Sequence, residues 1–161
     1  MKMPRTLIAA SLLLGCALPA FSADKVILTI KGAGCCQGKN EQSFTLKDLA
    51  ALPQSEIITQ TPWTKAKSRY QGVSLAMLLK KLQITSSSVK IRALNDYWAQ
   101  VPVAEIDKYK AILATHADGK ALTIRNKGPV WLMLPLSEHP EINKEQYHSY
   151  MVWQVHSVEA G

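Results

Sequence analysis

Long apolar runs, cysteines and the common catalytic signatures are all scarce in this chain. Its 161 residues include three Cys and four His. No G-x-S-x-G elbow, phosphate-binding loop or H-E-x-x-H helix occurs. Hydrolase, nucleotide-binding and zinc-protease readings therefore have no motif to stand on. His116, His139, His148 and His156 lack ligand-like spacing and read as surface or core-edge residues. There is also no internal repeat, heptad, low-complexity tract or Pro/Gly linker, so a single domain over residues 23–161 is the simplest organisation.

The one sustained apolar stretch, Leu7 to Leu18, is shorter than the roughly 20 residues a membrane-spanning helix needs. With Lys2 and Arg5 before it and Ala20-Phe21-Ser22 after it, it reads as a secretory signal over residues 1–22. The mature protein is then expected in the periplasm as a soluble chain. Leu13-Leu14-Gly15-Cys16 resembles a lipoprotein processing box, although Leu14 is unusual there, so anchoring at Cys16 is the lesser reading. Losing Lys2 and Arg5 takes the basic count from 19 to 17, and 17 minus 12 acidic residues leaves +5. Because the basic residues are scattered and the protein is read as exported, nucleic acid is not expected. An anionic small molecule or an acidic partner domain suits that balance. Cleavage leaves only Cys35 and Cys36, which are adjacent. Residues 32–38 read either as a redox or metal loop or as a flexible loop with idle thiols. The missing nearby histidine favours the second reading, and a mutual disulfide would be unusual.

Periodicity predicts an α+β fold, a mixed β-sheet or open barrel with a few short helices. Strands are expected at Val26–Ile30, Glu56–Thr61, Val89–Ala93, Trp98–Val101, Ala111–Thr115, Leu122–Ile124, Val130–Leu134 and Met151–Val158. Thr45 with Asp48 forms a capping-box pattern ahead of Leu46, Leu49 and Leu52. Ser74 caps a second helix, whose Leu75, Leu78, Leu79 and Leu82 fall on one face. Pro102 opens a third, through Ile106.

Polar and aromatic residues gather at the predicted strand ends. Asn95, Asp96, Tyr97 and Trp98 follow an apolar strand, while Thr61-Pro62-Trp63 lies upstream and Arg125 and Lys127 lie downstream beside Gly128. A flat heterocycle would suit this set. Trp63 would stack on it, Asn95 and Asp96 would bond its edge, Tyr97 would form a wall, and Arg125 and Lys127 would neutralise a tail. Trp131 and Trp153 are expected in the core. Asp96 and Asp118 are equally well explained by turn chemistry.

The order Phe44-Thr45-Leu46, Leu52-Pro53, Tyr70-Gln71-Gly72-Val73, Leu78-Leu79, Asn95-Asp96-Tyr97, Asp118-Gly119-Lys120 and Gly128-Pro129 resembles the molybdopterin-binding domain of the sulfite oxidase family, over about residues 26–159. The resemblance implies a mixed α+β fold that cradles a pterin, either a reduced pterin or molybdopterin. In catalytic members a cysteine on the strand before Tyr-x-Gly-Val binds molybdenum, but here that stretch is Thr59-Gln60-Thr61-Pro62-Trp63. A hydroxyl does not replace a soft thiolate, so molybdenum is doubtful. Thr-Pro-Trp, Leu-Asn-Asp-Tyr and Lys-Gly-Pro resemble more closely the small exported pterin-binding regulators of the PruR type. That resemblance implies a non-catalytic sensor signalling to the periplasmic domain of a membrane diguanylate cyclase/phosphodiesterase, within cyclic di-GMP control. The alternative is a molybdopterin-dependent oxidoreductase with Cys35 or Cys36 folded over the pocket. Thr61, Trp63, Asn95, Asp96, Tyr97, Arg125 and Lys127 are the expected ligand-binding residues.

Overall fold

The computed structural model describes residues 25–161. The expected export signal and Cys16 fall outside them. In chain order the elements are β1 (Val26–Lys31), β2 (Glu41–Thr45), α1 (Leu46–Ala51), β3 (Ser55–Thr59), β4 (Ser68–Ser74), α2 (Leu75–Lys81), β5 (Ser88–Ala93), β6 (Trp98–Pro102), α3 (Val103–Lys108), β7 (Ile112–Ala117), β8 (Lys120–Ala121), β9 (Trp131–Met133), α4 (Glu145–Tyr150) and β10 (Val155–Ala160). Short 3-10 turns occur at Cys36–Gly38, Ile124–Asn126 and Pro140–Ile142.

The helix starts follow the capping chemistry written in the sequence. Thr45 Oγ1 accepts the Asp48 N–H at 3.0 Å, and an Asp48 oxygen accepts the Thr45 N–H at 2.9 Å, so two otherwise orphaned donors are satisfied. Ser74 Oγ accepts from Met77 N at 3.3 Å, and Leu75, Leu78 and Leu79 behind it are all buried. In β5 the alternation is kept: Val89, Ile91 and Ala93 are buried while Ser88, Lys90 and Arg92 stay partly exposed. β7 is apolar on both faces from Ile112 to Ala114, as a strand covered on both sides must be.

The strands form two sheets, and neither closes into a barrel. One has the order β2-β1-β10-β5-β6, with β1 and β10 parallel and its other pairs antiparallel. The second runs β3-β4-β7-β8, with β9 also paired to β7. A single hydrophobic cluster joins them, drawing Leu28, Ile91 and Val158 from the first sheet, Tyr70, Val73 and Leu113 from the second, and Leu78 from α2. β4 meets β7 through a bulge at Gln71 and Gly72. There an added Cβ on Gly72 would collide with the Leu113 carbonyl and come within 2.8 Å of the Ala114 Cα.

Several expectations need correction. Leu122–Ile124 is not a strand: β8 ends at Ala121, and a 3-10 turn starts at Ile124 because Thr123 and Asn126 cap it reciprocally. β2, β4 and α4 carry polar and aromatic residues that break any simple period. Residues 32–38 are not a loose loop either. Cys35 and Cys36 are bonded to each other and buried, and Cys36 N donates to Leu82 O at 3.1 Å, which ties the segment to the end of α2.

Candidate functional site

The β5–β6 connection is a tight turn in which Ala93 N donates to Tyr97 O at 2.8 Å and Asp96 N donates to Ala93 O at 3.2 Å. Asp96 takes a left-handed conformation, with φ 68°, which Asp tolerates because its short side chain bonds locally. Asn95 Oδ1 accepts the Tyr97 N–H at 3.2 Å, leaving the Asn95 amide free to donate. The Tyr97 hydroxyl reaches across to donate to Ser149 O at 3.0 Å, joining this turn to α4.

A second turn follows β3. Thr61 N donates to Thr64 Oγ1 at 2.9 Å, and Trp63 N donates to Thr61 Oγ1 at 3.3 Å. The buried Thr61 thus shapes the backbone that presents Trp63. Thr59 is buried as well, and its hydroxyl is engaged with Ser137, accepting the Ser137 N–H at 3.0 Å.

The third wall is α4 and the chain after it. Tyr147, buried on the inner face of α4, donates to Glu105 Oε2 at 2.8 Å. That bond to a carboxylate, with added burial, holds the Tyr147 phenol well above its ordinary pKa. Anchored this way to α3, the helix turns Glu145, His148 and Ser149 toward the two turns. Met151, Val152 and Trp153 continue the wall.

Together these pieces enclose a largely apolar cavity of about 350 Å³. Trp63 and Trp153 meet edge to face, with ring centroids 5.1 Å apart and planes at 78°. Trp63 also packs against His148 at 6.1 Å and Trp131 at 6.1 Å. Behind them, the buried Trp131 donates its indole N–H to Met151 O at 3.0 Å. His148 Nε2 donates to Asn143 Oδ1 at 2.8 Å, which fixes the ring at the cavity edge.

Of the expected residues, Trp63, Asn95 and Tyr97 line this cavity. Thr61 lies beneath the Trp63 turn and lines a neighbouring cleft that shares His148. Lys127 stays outside: its ammonium lies 4.3 Å from the Trp153 ring centre and 5.9 Å from that of Trp131. Asp96 and Arg125 are exposed and are not part of the lining. Asp96 serves the turn, and Arg125 belongs to the 3-10 turn Ile124–Asn126. Trp131 is core as expected, whereas Trp153 lines the cavity. Glu145, His148 and Ser149 were missed because α4 carries no apolar periodicity that would mark a helix.

A family model described as the oxidoreductase molybdopterin binding domain matches residues 16–138. The chain belongs to this family. The match bears out the sulfite oxidase-type resemblance and the α+β fold, and it stops before α4. Among solved structures, the sulfane dehydrogenase SoxCD from Paracoccus pantotrophus is similar at a TM-score of 0.63 and 18% identity. The similarity covers 86% of this chain and 39% of that one, so it concerns the fold alone. No curated protein sequence matches the chain.

The family implies a pterin cofactor, and the donor set tests the fit. A flat, hydrogen-bonding ring system suits an aromatic cavity edged by Asn95, Glu145 and His148. A thiolate ligand is not offered there. Among the described residues Cys35 and Cys36 are paired with each other, and no group of three or more His, Cys, Asp or Glu residues is arranged to hold a metal. The disulfide also lies at the far end of β10 from Trp153. A Cβ placed on Gly32 would sit 3.1 Å from the Ala160 Cβ and 3.7 Å from the Cys35 Cβ. Neither cysteine therefore folds over the pocket, contrary to the oxidoreductase expectation.

Proposed function

We propose that this chain is an exported pterin-binding protein that senses pterin occupancy and relays it to a membrane signalling protein such as a diguanylate cyclase/phosphodiesterase. The observation that carries the reading is the aromatic cavity between Trp63, Tyr97 and Trp153, set in a molybdopterin-binding fold whose β3 end bears hydroxyls where a thiolate would be required. The N-terminal basic and apolar pattern supports the periplasm as its location. The basic balance of the chain suits an acidic partner surface. A ligand held between the β5–β6 turn and α4 would bear on the Tyr97 to Ser149 bond and change the surface around it.

An oxidoreductase reading fits the family description but needs a soft ligand at the cavity, and the lining includes no cysteine. The two readings part on ligand and metal content. Protein purified from pterin-replete cells should release a fluorescent pterin, identified by mass, in near-stoichiometric amount and with little molybdenum. Stoichiometric molybdenum, or no pterin at all, would overturn the proposal.

A further inference from the structure

Glu145 is the only carboxylate among the described residues lining the aromatic cavity. No ion pair among the described residues engages it. Its basic neighbour Lys144 places its ammonium over the Tyr147 ring at 5.4 Å. Covering a carboxylate with a flat ligand strips its water, a large cost unless the ligand returns hydrogen bonds. A carboxylate has two oxygens that accept and none that donates. Its complement is therefore a pair of adjacent in-plane N–H donors. Asn95, whose oxygen is already engaged by Tyr97 N, has donors left for a ligand carbonyl.

We infer that Glu145 is the specificity-determining residue of this cavity and reads a 2-amino-4-oxo-pyrimidine edge, accepting from the ring N3–H and the 2-amino group. The inference rests on the pterin reading above and narrows it: a 2-oxo ring, which sets an acceptor beside a donor, is refused. Asp96, expected to read that edge, is outside the lining, and Glu145 lies on α4, past the residues matched by the family model.

The test is a tryptophan-fluorescence titration of the protein with 6-hydroxymethylpterin and with 6-hydroxymethyl-lumazine, which differ only in bearing a 2-amino or a 2-oxo group. Wild type should bind the pterin about ten-fold or more tightly than the lumazine, given the strength of hydrogen bonds to a charged group. Glu145→Gln has one acceptor and one donor, so it should weaken pterin binding by a similar factor and bring the two ligands to near-equal affinity. Glu145 is exposed, so an unchanged melting curve for the variant is expected. Equal binding of both ligands by wild type, or a preference that survives Glu145→Gln, sinks the inference and leaves the aromatic site standing. Binding of neither ligand overturns the pterin reading and this inference with it.

Discussion

Trp63 and Trp153 meet edge to face at 5.1 Å, although one follows β3 of the second sheet and the other leads into β10 of the first. The pair makes the aromatic corner of the cavity, and Trp63, at 38% exposure, remains open to a ligand. Trp63→Ala removes a stacking face without emptying the core. Pterin affinity, followed by ligand fluorescence, should fall about ten-fold, in line with what one aromatic contact contributes. The unfolding midpoint should move little. A variant that binds as wild type does would show that Trp63 is not part of the site.

The legible part of this fold was the part driven by local chemistry. Thr45 with Asp48, Ser74 with its leucines, and the alternation of Val89, Ile91 and Ala93 each act within a few residues, so the sequence displays them directly. Of the cavity, the residues legible in the sequence as candidates are those on turns, Trp63, Asn95 and Tyr97. Its third wall depends on Tyr147 docking on Glu105, a contact distant in sequence that no local period announces. Asp96 and Arg125 are not part of that lining, because turn geometry, invisible in composition, sets where they sit.

Gly72 marks the closest approach of β4 to β7. A methyl group there would strike the Leu113 carbonyl and sit 2.8 Å from the Ala114 Cα, and backbone in a central strand has little room to give. Gly72→Ala should cost about 1–3 kcal/mol or more, read as a lower urea midpoint with an unchanged slope. A neutral outcome would mean that the bulge at Gln71 opens freely.

Acid should weaken the protein through two turn carboxylates. Asp118 accepts the Arg69 N–H at 2.9 Å, and Asp48 accepts the Thr45 N–H at 2.9 Å; these backbone bonds are what chiefly hold both carboxyls below their ordinary pKa. A depressed folded pKa gives stability that is fully present above the unfolded value, about 3.9 for Asp. That stability is lost as pH falls through the folded value. Urea midpoints should therefore drop below about pH 4, and Asp48→Asn/Asp118→Asn should flatten that acid limb. An acid limb as steep in the double variant as in wild type would assign the loss to other groups.

Cys35 and Cys36 should matter for stability and not for ligand binding. Both are buried and bonded to each other, and Cys35 lies, like Ala160, beside Gly32, whereas the aromatic cavity opens at the other end of β10. Replacing both with Ser puts two hydroxyls where sulfur was packed, at a cost of about 1–3 kcal/mol for each one left unpaired. The double variant should unfold at lower urea while keeping wild-type affinity for 6-hydroxymethylpterin. Loss of pterin binding, or of stoichiometric molybdenum, in a variant that still melts cooperatively would place the cysteines in the site and revive the oxidoreductase reading.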